Sequence, residues 1–242
     1  MKIKSNFYRL ILVIAGSLSA VSCMVDMKSI KGSGKVITQN RHVGEEFTKI
    51  DASSGIDVVV SQSDTRSVTV EADDNVQQHI KTKVENGTLF ISSEYNSFTN
   101  VTKKVIVTLP AVNSIQTSGG ASLKSSNTLR SDDLTIDASS GSEVRITVEA
   151  DKLVCQASSG SHVTAKGKAL TVDTSSSSGS EIDAAELLAN DVHAQSSSGS
   201  SSEVHALVNL NAEASSGSSI DYVGSPKKVV KEENSGGSIS GK

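Results

Sequence analysis

The sequence predicts an all-β fold, namely a single-stranded parallel β-helix, right-handed, with about 19–20 residues per coil. The main observation is a Ser-Ser-Gly word that returns at a nearly constant spacing along much of the chain. A second observation is the period-2 alternation of small aliphatic and polar residues on both sides of that word. A third is the composition, with 36% hydrophobic residues, 3% aromatic residues and no Trp, which suits a thin core repeated many times.

One glycine in each repeat marks the predicted corner of a coil. From Gly120 onward the intervals between these glycines are 21, 19, 19, 20, 18 and 20 residues, a regularity that neither a flexible linker nor a single catalytic serine would keep. Glycine accepts a positive φ at such a corner without steric cost, and small serines can hydrogen-bond the turned backbone. The predicted corner glycines are Gly55, Gly120, Gly141, Gly160, Gly179, Gly199, Gly217 and Gly237.

The residues around each corner alternate between a buried and a solvent-facing side. An aliphatic residue stands three places after most corner glycines, as Val144 does after Gly141. In the Gly199 coil the valine is displaced by two further residues, to Val204. Cys155 alternates with aliphatic neighbours in LVCQA and is therefore expected to be a small buried residue rather than a reactive thiol.

The segment before Gly120 departs from the regular repeat. Residues 62–112 contain several strand-like runs, and Asn86-Gly87 is typical of a type I′ hairpin turn. The run at 73–80 favours a short helix. We therefore expect a hairpin excursion at about 62–112.

The corner word already occurs ahead of that excursion, as DASSGIDV at 51–58. This position indicates one continuous β domain over residues 35–242 rather than two domains. Regular coils are expected over about 113–240. Residues 23–34 are expected to be a tether between the membrane anchor and this domain.

The N-terminus has the pattern of an exported bacterial lipoprotein. Basic side chains precede the short apolar run LILVIAG at 10–16, and small residues lead to Cys23. This pattern predicts a signal peptide at 1–22, lipidation of Cys23 and an outer-membrane lipoprotein of the cell envelope, on either the periplasmic or the surface face. The alternative is an ordinary secretory signal in which Cys23 is incidental.

The charge balance argues against nucleic-acid binding. Removing residues 1–22 takes away three basic and no acidic side chains, which leaves 20 basic and 27 acidic ones and a net charge of −7. A mildly acidic surface without a basic patch suits neither nucleic acid nor direct adsorption on anionic lipid. Membrane contact is therefore expected through the lipid on Cys23 alone.

A family resemblance is carried by FTKIDASSGIDVVVSQ at 47–62, by VIVTLPAVNSIQTSGGASL at 105–123 and by the later Ser-Ser-Gly coils. Together these resemble the head GIN domain family, exported proteins of Bacteroidetes named as auto-transporter adhesins. The resemblance covers roughly residues 35–240, and Asp57 stands where the family name has asparagine. It implies an adhesive role and provides no catalytic residues to carry over.

Glu143, His162 and Glu181 stand two places after successive corner glycines. If the coils stack in register, these side chains form a ladder at roughly 4.8 Å intervals. Two carboxylates that flank an imidazole could hold a metal ion. The alternative, which we favour, is a solvated column in which the histidine relieves carboxylate repulsion, and no cofactor is expected.

Tyr95 and Phe98 are the candidate ligand contacts. They lie in the polar loop SSEYNSFTN at 92–100, in a chain where aromatic side chains are scarce. The alternative is that the two rings cap the end of the helix core.

The sequence thus predicts a lipid-anchored envelope protein without catalytic activity, an adhesin or interaction scaffold for an unidentified protein or glycan. A carbohydrate-active β-helix enzyme is one alternative, which a groove with convergent carboxylates would favour. A periplasmic structural or assembly protein is another, in which strand edges at the ends of the rod pair in self-association. A serine nucleophile is not expected, because the serines repeat where no base repeats.

Overall fold

The chain folds as a β-solenoid of about seven turns, which confirms the predicted parallel β-helix. The computed structural model describes residues 29–95 and 97–242. The predicted signal peptide at 1–22 and the predicted lipidation site Cys23 lie outside these residues. Among the described residues, no helix has the length and apolar character needed to cross a membrane.

The first ten strands form the N-terminal region of the fold, and the first and eighth of them make a separate two-stranded sheet. They are β1 (Ser29–Lys31), β2 (Val36–Arg41), β3 (Lys49–Ala52), β4 (Asp57–Gln62), β5 (Ser67–Asp73), β6 (Ile80–Glu85), β7 (Thr88–Ser93), β8 (Ser97–Thr99), β9 (Lys103–Leu109) and β10 (Ser114–Thr117). Strand β5 pairs antiparallel with β2 and β9, and β6 pairs antiparallel with β7 across Asn86-Gly87. Both residues of that turn have a positive φ, 50° and 74°, as a type I′ turn requires. The expected short helix is a 3-10 turn at Gln77–His79.

The last eight strands form the regular coils, and their pairings with one another are parallel. They are β11 (Ser122–Ala138), β12 (Glu143–Ala157), β13 (His162–Ser176), β14 (Glu181–Ser196), β15 (Ser201–Ala214), β16 (Ser219–Val223), β17 (Lys228–Glu233) and β18 (Ser238–Gly241). Each of β11 to β15 makes most of one coil by itself. The inward columns consist mainly of buried aliphatic residues, and Cys155 is fully buried among them.

A four-residue turn with two consecutive positive φ angles closes each regular coil. In the turn at 139–142, Ser140 has a φ of 53° and Gly141 one of 68°, and the amide of Ser142 donates to the carbonyl of Ser139 at 3.2 Å. The residue before the corner glycine therefore adopts a positive φ as well, whereas the sequence argument assigned this conformation to glycine alone. A positive φ also occurs at Gly55, Gly120, Gly160, Gly179, Gly199 and Gly217.

The serine after the corner glycine is a buried link between coils. The hydroxyl of Ser161 accepts a hydrogen bond from the amide of Ser158 at 3.0 Å and donates to the carbonyl of Ala138, one coil earlier, at 2.8 Å. The same two bonds are made by Ser142, Ser180, Ser200 and Ser218. These serines therefore satisfy backbone groups that the turn would otherwise leave without partners.

The last predicted corner is wrong by one residue. Gly236 has the positive φ, 79°, whereas Gly237 takes the place that the buried serine has in the other coils. A Cβ added to Gly237 would collide with the carbonyl oxygen of Ala214, so this glycine is needed for close approach of the backbone. The position of Ile239, three residues after Gly236 and paired with Ile220, identifies the true corner.

Four hydroxyl side chains of β13 to β15 interrupt the inward columns, namely Thr174, Ser176, Ser196 and Ser202. Ser202 lies between Ile182 and Ile220 in register, and Val204 fills the next inward position. The hydroxyl of Ser202 is buried and lies 2.9 Å from the hydroxyl of Ser176, so the polar group has a partner inside the core.

Residues 29–34 belong to the folded domain, which corrects part of the predicted 23–34 tether. Strand β1 pairs in parallel with β8. The buried carboxylate of Asp73 accepts hydrogen bonds from the amides of Gly34, at 2.6 Å, and Thr102, at 2.7 Å. A strand of three residues is too short for its alternation to be recognised in the sequence.

Candidate functional site

A groove of about 610 Å³ runs along the solenoid where β11 to β15 bend, and we term it the bend groove. The side chains of Ala150 and Ala169, both nearly buried, line it. At the bend, the alternation of inward and outward side chains is interrupted. Two successive residues, such as Asp151 and Lys152, are both exposed and stand between inward residues. One of these two positions in each coil therefore points into the groove region. The complete lining is Arg130, Ser131, Asp132, Glu149, Ala150, Asp151, Lys168, Ala169, Leu170, Leu188, Asn190 and Leu207.

Three leucines of the bend groove are exposed to solvent. Leu170 is 54% exposed, Leu188 is 43% exposed and Leu207 is 42% exposed. They lie on three successive coils, in β13, β14 and β15. Large aliphatic side chains that are exposed together in a concave site make the bend groove the candidate binding surface.

A row of alternating charges forms one wall of the bend groove. Arg130 pairs in register with Glu149, and Glu149 with Lys168. The Glu149 carboxylate lies 2.7 Å from Lys168 Nζ and 3.3 Å from Arg130 Nε. The hydrogen bond from Lys168, followed by the charges of both cations, lowers the pKa of Glu149. One carboxylate thus contacts two cations, and the row has a net charge of +1.

Two exposed aspartates follow this row along the same strands, each two residues after a member of the row. Asp132 and Asp151 occupy equivalent positions on β11 and β12, because Ser131 pairs with Ala150 and the next pair beyond them is Asp133 with Lys152. Within the described part of the chain, no ion pair joins either Asp132 or Asp151 to a basic side chain. With the charged row, the groove lining has three carboxylates and two cations, a net charge of −1, and the two carboxylates without an ion pair lie at this end.

Tyr95 and Phe98, the predicted ligand contacts, lie in the N-terminal region and outside the bend groove. The ring of Tyr95 packs edge-on against His79, with 4.7 Å between centroids. Phe98 is half-buried against the core, and Lys103 Nζ lies 4.5 Å from its ring centroid. Phe98 therefore packs on the core, as the capping alternative expects, whereas the contact of Tyr95 is with His79.

The predicted ladder of Glu143, His162 and Glu181 does form, with the three residues paired in register. His162 Nδ1 lies 3.3 Å from a Glu181 oxygen, and His162 Nε2 lies 3.0 Å from the Thr164 hydroxyl. Glu143 is paired with Arg145. No group of three side chains suited to a metal ion occurs among residues 29–95 and 97–242. Within the ladder, His162 pairs with Glu181, whereas Glu143 pairs with Arg145 on its own strand.

The bend groove was missed at the level of sequence, although a signal was present. Leu170, Leu188 and Leu207 each stand 8 to 10 residues after a corner glycine. An apolar residue that recurs near the middle of three coils, out of phase with the inward columns, is the pattern that could have indicated it.

The parallel coils and their Ser-Ser-Gly corners define a β-solenoid protein. The sequence profile of the family described as “Putative auto-transporter adhesin, head GIN domain” matches residues 46–226, and the chain belongs to this family. The match confirms the resemblance that was drawn from the runs at 47–62 and 105–123.

Several solved structures are similar to the chain. A “putative adhesin” from Bacteroides fragilis is 28% identical, with a TM-score of 0.82 over 88% of this chain and 100% of that one. A “putative lipid binding protein” from Parabacteroides distasonis is 21% identical, with a TM-score of 0.73 over 89% of this chain and 100% of that one. A “putative adhesin” from Parabacteroides merdae is 19% identical, with a TM-score of 0.70 over 88% of this chain and 99% of that one. At 21% and 19% identity, the two Parabacteroides structures show that the fold is shared and show nothing about function. No curated protein sequence matches the chain.

Proposed function

We propose that this chain is a lipid-anchored adhesin or interaction scaffold of the cell envelope, which binds a partner in the bend groove and catalyses no reaction. The observation that carries the proposal is the set of exposed leucines, Leu170, Leu188 and Leu207, gathered in one groove. Membership of a family named for adhesion supports the same role and an envelope or extracellular location.

The anchor in this proposal is a lipid on Cys23. Only residues 24–28 separate Cys23 from β1. An extended chain spans at most about 3.6 Å per residue, so the start of the solenoid would lie within roughly 20 Å of the membrane. The bend groove belongs to later coils, away from the tethered end, and would remain accessible to a partner.

A carbohydrate-active enzyme is the second candidate, because the bend groove contains three carboxylates, those of Asp132, Glu149 and Asp151. Glycoside hydrolysis needs one carboxyl group whose pKa is raised, so that it can act as the acid. Lys168 and Arg130 lower the pKa of Glu149, which is the opposite direction. The residues that line the groove also include no aromatic side chain on which a sugar could stack. Binding therefore fits the groove better than hydrolysis.

Protease shaving of intact cells tests the location and, with it, access to an external partner. A known periplasmic protein serves as the control for leakage. We expect the chain to be cut while the control survives, and a Cys23→Ser variant to leave the membrane fraction. Cleavage only after lysis would overturn adhesion to an external partner and favour a periplasmic assembly role.

Incubation of the purified chain with a panel of polysaccharides tests the second candidate. The proposal predicts no release of reducing ends above buffer. Release that is abolished by Asp151→Asn, in a variant with an unchanged melting temperature, would instead assign hydrolysis to the groove.

A further inference from the structure

We propose that the bend groove binds an extended polypeptide segment that has basic residues at one end and aliphatic side chains at the other. This inference rests on the proposed binding role of the groove and adds the chemistry of the partner. The two ends of the groove differ in character. Asp132 and Asp151 lie at one end, and Leu170, Leu188 and Leu207 extend toward the other.

The acidic end of the groove favours a positively charged group of the partner. Asp132 and Asp151 lie on adjacent coils, at roughly 4.8 Å in the stacking direction, so their carboxylates repel each other. The nearby cations, Lys168 and Arg130, are already engaged by Glu149. A lysine or arginine from a partner, placed over the two aspartates, would relieve the repulsion and form charge-assisted hydrogen bonds.

The leucine end of the groove favours aliphatic side chains of the partner. Covering Leu170, Leu188 and Leu207 would remove apolar area from water, at about 25 cal/mol per Å². Asn190 lies on β14, between the coils that hold Leu170 and Leu207, and it also lines the groove. Its side-chain amide offers both a donor and an acceptor, which is what the backbone of an extended peptide requires.

The length of the groove fits a short extended segment. From Asp132 on β11 to Leu207 on β15 the groove crosses four coil spacings, roughly 19 Å at about 4.8 Å each. An extended chain rises about 3.3 Å per residue, so roughly six residues cover this distance. A fatty acid carboxylate would meet three carboxylates in the lining against two cations, both of which already contact Glu149. The charge of the groove therefore favours a basic peptide over an anionic lipid.

Fluorescence anisotropy with the purified chain tests the proposal. The probe is a labelled octapeptide, Lys-Lys-Ser-Leu-Ser-Leu-Ser-Val, and the comparison peptide has glutamates in place of the two lysines. We expect saturable binding of the basic peptide and at least tenfold weaker binding of the acidic one. Added salt should weaken the basic peptide more than the acidic peptide, because screening acts on the charged contacts.

Paired substitutions assign the binding to the groove. Asp132→Asn with Asp151→Asn should weaken the basic peptide about tenfold and leave the acidic peptide no weaker than before. Leu170→Ser with Leu207→Ser should weaken both peptides. Thermal melting verifies that each variant remains folded.

A matched control removes aliphatic surface elsewhere on the rod. Val229 and Val230 on β17 are exposed to a similar degree as the groove leucines, at 38% and 40%, and Val229→Ser with Val230→Ser should leave the affinity unchanged. Equal binding of the two peptides, no saturable binding of either, or an unchanged affinity in the aspartate variant would overturn the proposal. Saturable binding of laurate in place of the peptides would also overturn it. Because surface display is measured separately by protease shaving, the peptide proposal can fail while the proposed adhesin role stands.

Discussion

The N-terminal region and the regular coils bury their residues in different ways. The N-terminal region, β1 to β10, combines antiparallel and parallel pairs and depends on individual contacts, such as those of the buried Asp73 carboxylate and the buried ring of Phe47. The regular coils, β11 to β18, repeat one small set of contacts, namely inward aliphatic columns and a buried corner serine such as Ser161. A substitution in the N-terminal region should therefore destabilise only the strands near it. In the regular coils, equivalent substitutions in different coils should each lower the stability by a similar amount.

The repeated interior also leaves the outward positions free to vary. Asp132, Asp151, Leu170 and Asn190 follow one another at the bend of successive coils, on strands that stay paired in parallel. A solenoid can thus build a binding surface from one residue per coil without changing its core. This difference explains why the candidate groove lies in the regular coils rather than in the irregular N-terminal region.

The largest expected effect concerns the closed interior of the coils. Burial raises the pKa of the Cys155 thiol from 9.0 to about 12. Since the thiolate is the reactive form, alkylation of native Cys155 at pH 8 should be about a thousandfold slower than in the unfolded chain. Peptide mapping after iodoacetamide treatment, with a sample in denaturant as the control, measures this ratio. Equal labelling in both samples would contradict a closed interior.

The Cys155 thiol also determines the direction in which the stability of the fold changes with pH. The folded pKa of Cys155, about 12, lies above its unfolded value of 9.0, so the native state holds the proton longer. Its contribution to stability is present below pH 9 and is lost as the pH rises toward 12. Urea unfolding of the wild type and of Cys155→Ala between pH 8 and 11 should show a steeper decline for the wild type.

The next largest effect is steric and lies in a regular coil. Gly167 has a φ of 116°, and an added Cβ would collide with the carbonyl oxygen of its neighbour Val148. Gly167→Val should cost about 3 kcal/mol or more, because it adds both backbone strain and overpacking. Urea denaturation followed by circular dichroism measures the loss. Gly44→Ala is the control, since no atom lies within 4 Å of a Cβ there, and should change stability by less than about 0.5 kcal/mol.

An intermediate and local effect is expected in the N-terminal region. Asp73→Ala removes the acceptor of the Gly34 and Thr102 amides and should destabilise the packing of β1 by about 2–3 kcal/mol. Hydrogen exchange should accelerate at those two amides while the amides of β13 keep their protection. Asp64→Ala, the same change at an exposed aspartate of the N-terminal region, is the control. Faster exchange throughout the coils would show that the two regions are not independent.

The smallest effect separates two serines of one corner. Ser161→Ala removes two buried hydrogen bonds and should cost about 1–2 kcal/mol. Ser159→Gly should be nearly neutral, because relief of the positive φ at Ser159, 53°, offsets the greater freedom of the unfolded chain. The urea midpoints of both variants measure the difference. The account of the corner fails if Ser159→Gly proves the more damaging change.

Much of the fold could be predicted because its determinants are periodic. The spacing of the glycines, the alternation around Cys155 and the Asn86-Gly87 turn each depend on a few neighbouring residues. Gly237 was misassigned because the last corner has two adjacent glycines, and only the distance to Ile239 distinguishes them. The β1 strand escaped prediction because its pairing depends on contacts distant in sequence.

The candidate site was less predictable for a physical reason. Exposure of Leu170 and Leu188 depends on where each coil bends, and the bend shifts the alternation by one residue at a place that no glycine or proline marks. Tyr95 and Phe98 were predicted as ligand contacts because aromatic side chains are scarce, yet their rings pack within the N-terminal region. Side chains from successive coils form the groove only after the register is known.

The most direct test of the central claim is an adherence assay that compares the two regions. A strain lacking the chain is complemented with the wild type, with Leu170→Ser plus Leu207→Ser, or with Tyr95→Ser plus Phe98→Ser, at equal surface amounts measured by antibody. Attachment is scored on surfaces coated with matrix proteins and glycans. The account predicts that cells with the wild type and with the aromatic variant attach, and that cells with the leucine variant fall to the level of the deletion strain. Full attachment by the leucine variant, together with loss in the aromatic variant, would contradict it.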